Sequence, residues 1–224
     1  MTIKIMLDPG HGGTDPGAIG NGLLEKDLNL KIAKATKEYL DTRYSGHTTQ
    51  LTRSGDTTMA LVERTNKANR WGADYLLSIH INAGGGTGYE DFIFNGSVQP
   101  STARLRDIIH SEVSKAAGWR NRGKKTANFH VLRESKMSAM LTENGFIDNK
   151  QDADKLKQNS TIQEIAKAHT EGLAKALKLK KKTTSKSPGK MYKVQIGAFT
   201  VKANAEKRAA AARKAGFDTY ILEE

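Results

Sequence analysis

The stretch Tyr75-Leu76-Leu77-Ser78-Ile79-His80-Ile81 decides the fold. It is short, almost wholly apolar and rich in aliphatic side chains. Such a run reads as a strand buried on both faces, and strands of that kind belong to sheets covered by helices. The flanking sequence has the matching alternation. Upstream, residues 3–8 form a mostly apolar strand that ends at Pro9-Gly10. Leu28, Ile32, Ala35, Tyr39 and Leu40 recur at helical spacing over 26–43. Residues 47–52 are β-rich, and 59–71 read as a helix with Thr57 or Thr58 as N-cap. Downstream come a strand at 91–94, a helix at 102–117, short strands at 129–133 and 139–142, and an amphipathic helix at 161–179. The expectation is an α/β domain on an open, mostly parallel or mixed sheet flanked by helices.

The chain has 224 residues, enough for one full domain with a core and a small appendage. It contains no cysteine, which excludes disulfides and thiolate metal sites. A transition metal would be held by His, Asp or Glu. No segment approaches the roughly 20 apolar residues that span a bilayer, so no membrane insertion is expected. Residues 1–8 lack a signal-peptide hydrophobic region, and the expectation is synthesis in the cytoplasm.

Of the net charge of +12, residues 178–224 carry +8, from 12 Lys/Arg against 4 Asp/Glu. That excess suits a polyanionic neighbour (nucleic acid, anionic lipid or acidic wall polymer) or simply a solvated basic linker. The pattern collapses at Lys178-Leu179-Lys180-Lys181-Lys182-Thr183-Thr184-Ser185-Lys186-Ser187-Pro188-Gly189-Lys190. We therefore divide the chain into a domain at 1–178, a basic linker at 179–190 and a small unit at 191–224. In the last, 192–199 reads as a strand, 202–215 as an Ala-rich helix stopped by Gly216, and 218–222 as a second strand. A single βαβ element cannot cover both sides of a two-stranded sheet, so a repeat or a partner is expected.

Four residues sit where strands end or loops begin: His11, Glu25, His80 and Glu143. Sites in open α/β sheets form beyond the carboxyl ends of strands. Two histidines and a carboxylate can hold Zn²⁺ with its fourth position open, and a second carboxylate can take a proton from water there. Each residue also has a plain structural reading: a turn histidine, a sheet-end histidine, a helix N-terminal acid and a surface-turn acid. His47 and His110 read as surface residues, His169 as part of a buried helix face, and His130 as a packed strand residue. Gly118-Trp119-Arg120-Asn121-Arg122-Gly123-Lys124-Lys125 approaches a phosphate-binding loop but has Lys125 where Ser or Thr must reach Mg²⁺. It also follows a helix, so that reading is rejected. Gly84–Gly88 is read as a rim loop.

Residues 1 to about 178 resemble the zinc-dependent N-acetylmuramoyl-L-alanine amidases of bacterial cell-wall turnover and phage lysis. The resemblance is carried by Ile5–Ala18, Glu25-Lys26, Leu51-Thr52-Arg53, Arg64-Thr65-Asn66, Ser78–Asn82 and Leu141–Ile147. It implies His11, Glu25 and His80 as ligands of one Zn²⁺ and Glu143 as the catalytic general base and acid. It further implies cleavage of the amide between N-acetylmuramic acid and L-alanine of the peptidoglycan stem peptide. Residues 122–134 look especially like the spore-former amidases of mother-cell lysis, although the proline common near 137–139 is missing. Asn82, Arg133 and Asn144 are candidate substrate contacts. Residues 191–224 are similar to half of a SPOR peptidoglycan-binding module, with Gln195 and Phe199 as candidate wall contacts, and a homodimer through that half-repeat is one expectation. Specific nucleic-acid binding is not expected. The competing readings are a stem-peptide zinc carboxypeptidase and a non-catalytic wall-binding protein. A host autolysin and a phage endolysin fit the sequence equally, each reaching the wall after lysis or by non-classical export.

Overall fold

The computed structural model describes residues 2–182, 195–217 and 219–222, and the chain divides into two compact units, 1–183 and 184–224. The first unit opens with β1 (Ile3–Pro9), the small hairpin β2 (Ile19–Gly20) and β3 (Leu23–Leu24), and α1 (Glu25–Arg43). Then follow β4 (Tyr44–Ser45), β5 (His47–Leu51), α2 (Leu61–Trp71), β6 (Tyr75–Asn82) and β7 (Tyr89–Phe94). After α3 (Pro100–Val113) come β8 (Asn121–Ala127), α4 (His130–Arg133), β9 (Ser138–Phe146), α5 (Lys150–Leu156), α6 (Asn159–Ala176) and β10 (Lys180–Lys181).

The main sheet has the order β5-β1-β6-β9-β7-β8. β5, β1, β6 and β9 are parallel, β7 runs antiparallel to β9, and β8 parallel to β7. The mixed sheet flanked by helices is the expected class. β6, whose apolar run suggested burial on both faces, lies centrally. Tyr75, Leu77, Ile79 and Ile81 join Ile5, Leu7 and Met140 in the larger core with Leu28, Ile32, Ile109, Ile165 and Leu173 from α1, α3 and α6. Leu76 faces the other way, with Met6, Ala139 and Leu141, against Ala68 of α2 and Val131 and Leu132 of α4. Each such aliphatic side chain contributes about 1.5–3 kcal/mol on burial. Residues of period two follow the same faces, so His80 and Glu143 share the side of the sheet that packs against α2 and α4.

Several elements differ from expectation. Residues 129–133 form the one-turn helix α4 rather than a strand: Phe129 is the cap, and Val131 and Leu132 turn together into the smaller core. A five-residue apolar-polar alternation fits both periods, and packing chose the helical one. β8 is invisible to an apolar-run reading because it carries Arg122, Lys124 and Lys125. β9 extends beyond 142 to Phe146, so Glu143 lies within the strand. α5 is set by its N-cap, where Asn149 Oδ1 accepts from the backbone N–H of Gln151 and Asp152. The cap of α2 is Ala60, not Thr57 or Thr58; Glu63 closes that turn by accepting from the Ala60 N–H at 2.7 Å.

Within the span read as a linker, 179–190, Lys180–Lys181 pairs antiparallel with Tyr44–Ser45 and the Lys182 N–H donates to the Arg43 carbonyl, while 183–190 lie outside the described residues. In the second unit α7 (Lys202–Lys214) matches the expected helix. Residues 192–194 and 218 of the two expected strands lie outside the described residues, and 195–199 and 219–222 are in no strand. No described helix is long and apolar enough to cross a membrane.

Candidate active site

β1 ends at Pro9, and the chain turns sharply over Gly10-His11-Gly12-Gly13 with His11 itself in the left-handed region at φ +59°. Two buried arginines hold this turn by its carbonyls. Arg53 donates to Pro9 O, Gly10 O and Lys26 O at 3.0, 2.9 and 2.7 Å. Arg64 donates to Pro9 O at 2.8 Å and His11 O at 2.6 Å, and pairs with buried Asp8 at 2.9 Å. Asp8 also accepts from Thr52 and Ser78. Burial would raise the Asp8 carboxyl, but Arg64 and these hydroxyls outweigh it and hold it below the usual range. Gly10 is required sterically, since a Cβ there would lie 2.1 Å from the His80 ring.

Glu25 is the first residue of α1 and is buried. Its Oε2 accepts from the Ala18 N–H at 2.8 Å and faces His11 Nε2 at 3.2 Å. Its Oε1 accepts from Asn29 Nδ2 and the Ile81 N–H, both at 3.2 Å, and faces His80 Nδ1 at 2.9 Å. Burial raises this carboxyl, and the hydrogen bonds of His11 and His80 more than reverse that, leaving it well below the ordinary range. On the far side of His11, Nδ1 lies 2.8 Å from Asp15 Oδ2. Burial would lower His11, but Glu25 and Asp15 raise it. One donor atom from each of His11, Glu25 and His80 lies within 4.8 Å of the others. Two imidazoles and a carboxylate, with Asp15 fixing the tautomer of one imidazole, match the donor chemistry of a Zn²⁺ site with an open position.

The second half of the site is a row across three strands. Glu143 on β9 stands opposite His80 on β6 and opposite Glu90 on β7. Directly opposed residues share a face, with strands about 4.8 Å apart. Glu143 is half-buried, yet its Oε2 is out of solvent and has no hydrogen-bond partner among the described residues. Burial and the charges of Glu25 and Glu90 push its carboxyl well above the ordinary range. Glu90 is lowered instead: burial opposes ionisation, but Lys125 and Arg122, each 2.6 Å from Oε2, prevail.

The four residues singled out from sequence thus come together. Asn82 and Asn144 lie beside them: Asn82 donates to Glu90 at 2.9 Å, and buried Asn144 to the His80 carbonyl at 3.0 Å. Arg133 is held elsewhere, by Glu134 and Asn128. His110, expected at the surface, is buried against Asp91 and accepts from Asn121. His47 is half-buried between Leu40 O and Thr49. His169 is buried as expected, its Nδ1 donating to Ile165 O and its Nε2 meeting Thr142. His130 is half-buried and meets Thr65 at 3.3 Å. Gln195 donates to Gly197 O, and Phe199 is exposed. Sequence reasoning passed over Glu90, although an Glu-Asp pair inside an aromatic strand (Tyr89–Phe94) is a signal of buried charge that needs partners.

Residues 5–175 match the family model described as N-acetylmuramoyl-L-alanine amidase, and 188–224 match the model of the SPOR domain. The N-acetylmuramoyl-L-alanine amidase CwlM of Bacillus licheniformis is 54% identical over 220 residues, covering 98% of this chain and 85% of that protein. The sporulation-specific N-acetylmuramoyl-L-alanine amidase of Bacillus subtilis is also 54% identical, covering 98% and 84%. Among solved structures, the N-acetylmuramoyl-L-alanine amidase of Clostridium difficile 630 superposes with a TM-score of 0.75 at 33% identity, covering 79% of this chain and 97% of that one. This chain belongs to the N-acetylmuramoyl-L-alanine amidase family of hydrolases.

Proposed function

We propose that the chain hydrolyses the amide between the lactyl group of N-acetylmuramic acid and L-alanine of the peptidoglycan stem peptide, with one Zn²⁺ held by His11, Glu25 and His80. The observation that carries this is Glu143: an unpartnered buried carboxylate oxygen one strand from a converging His/Glu/His set. When bound, Zn²⁺ supplies Lewis acidity toward the carbonyl and toward water. Glu143 takes the proton of the attacking water and returns it to the leaving L-alanine nitrogen. Its raised proton affinity suits the return step, and a dication among its neighbours would bring it back toward ionisation for the first. Asn144, donating to the His80 carbonyl, keeps the β6–β9 seam in register.

We read the C-terminal unit as a wall-binding half-module that pairs with a second copy. Its match to the SPOR model supports this, as do the exposed Ile196, Phe199, Val201, Phe217, Tyr220, Ile221 and Leu222. A monomer mass in sedimentation at micromolar concentration would count against the pairing.

The deciding experiment is digestion of purified peptidoglycan with and without a zinc chelator, read by mass spectrometry. Intact stem peptides with an L-alanine N-terminus, lost on chelation and restored by Zn²⁺, are expected. Release of single amino acids would point to a carboxypeptidase, and sedimentation of protein with undigested wall to a binding protein.

A further inference from the structure

The basic run that fails as a phosphate loop has a different place in the molecule. Its residues 121–125 lie in β8, at the sheet edge beside β7 and two strands from Glu143. Arg122 and Lys125 are three apart, so on a regular strand they would point to opposite faces. Here they do not. The pairing steps from Tyr89↔Asn121 to Asp91↔Lys124, so two residues of β8, Arg122 and Gly123, oppose Glu90 alone. Gly123 takes φ +88°, the left-handed conformation such a bulge uses. The extra residue shifts the alternation. Lys124 turns to α3 and pairs with Asp107 at 2.9 Å, while Arg122 and Lys125 both end on Glu90 Oε2.

The result is two cations on one carboxylate, a net positive charge next to a row that otherwise carries Glu143 and Glu90. Glu90 does not saturate them. The Arg122 guanidinium uses only Nε, lies 4.8 Å over the Phe146 ring, and its two Nη groups have no hydrogen-bond partner among the described residues. Lys125 uses one contact to Glu90 and lies 5.8 Å over the Phe92 ring. Both side chains remain partly exposed, at 28% and 39%. A guanidinium edge of this kind is the geometry that binds a carboxylate through two parallel hydrogen bonds.

We propose that Arg122 and Lys125 form a specificity subsite for a carboxylate of the leaving peptide, two or three residues from the scissile amide. The inference rests on the amidase reading above. Two strand spacings place β8 about 10 Å from β9, and an extended peptide covers that span in about three residues. Glu90 serves as the anchor that holds both cations in place, and the Gly123 bulge as the device that brings them to one face.

The test uses two soluble muramoyl tripeptides, one with free carboxylates on its second and third residues and one with both amidated. Wild type, Arg122→Gln, Lys125→Gln and the conservative Lys125→Arg are compared in kcat and KM, with thermal melts as a folding control. Wild type is expected to prefer the acid. Each Gln variant should raise KM for the acid roughly tenfold, with little change in kcat, because uniform binding is lost. For the amide the change should stay within about twofold, and Lys125→Arg should retain the preference. Equal losses on both substrates, a fall confined to kcat, or no change at all would each overturn the subsite. If wild type cleaves neither tripeptide, the amidase reading itself falls.

Discussion

Glu25 and Glu143 are two acids of one site, and their surroundings are opposite. At the β1–α1 corner, Glu25 accepts from two backbone N–H groups and an amide and faces two imidazoles; its carboxyl is held far below the usual range. At the β6–β9–β7 seam, Glu143 has an unpartnered buried oxygen and two acidic neighbours, and its carboxyl is pushed well above. Both are carboxylates near imidazoles, so residue type does not separate them. Hydrogen-bond satisfaction does: the corner favours the ionised carboxylate, and the seam favours the protonated one.

The sharpest break of this contrast is Glu143→Gln. Turnover should fall by about 10³-fold, the range of a lost acid–base group, while zinc content measured by atomic emission stays at one per chain. The unfolding temperature should hold or rise, since the carboxyl replaced has an unpartnered buried oxygen and acidic neighbours. A large drop in stability would mean that Glu143 is structural.

The corner should respond in the reverse sense. Arg64→Ala removes the partner of buried Asp8 and the donor to the His11 carbonyl. A loss of about 3–5 kcal/mol in denaturant unfolding is expected.

The seam also rests on His169, which meets Thr142, the residue before Glu143. Burial depresses His169 to about 4, only partly offset by its hydrogen bond to Ile165 O. Its stabilising contribution is full above the unfolded value of 6.5. Below that the unfolded chain takes up a proton that the native state refuses, so stability falls as pH drops from 6.5 to about 4. The total is about 3 kcal/mol. His169→Gln should flatten the pH dependence of unfolding in that window; an unchanged curve would remove His169 from the account.

The smallest effect belongs to Asp15, largely exposed, which fixes His11 through Nδ1. Asp15→Ala should weaken zinc about tenfold in chelator competition without altering the melt.

The two units differ as well in what their sequences could settle. In the first, apolar runs at 3–8 and 75–81 announced central strands because those side chains have nowhere else to go. In the second, large apolar side chains such as Ile196, Phe199 and Val201 stay exposed, and the described part of the expected strand, 195–199, is in no strand.

Sequence alone determined the α/β class and the absence of thiolate chemistry, because periodicity and residue type are local properties, and it singled out His11, Glu25, His80 and Glu143 by their places at strand ends together with the family resemblance. Only the tertiary structure decided that His80, Glu143 and Glu90 form one row, that Arg53 and Arg64 clamp the His11 turn, and that a bulge at Gly123 brings Arg122 and Lys125 to Glu90. Register between strands distant in sequence is set by packing of both faces at once, and a shift of one residue would turn every one of these side chains away.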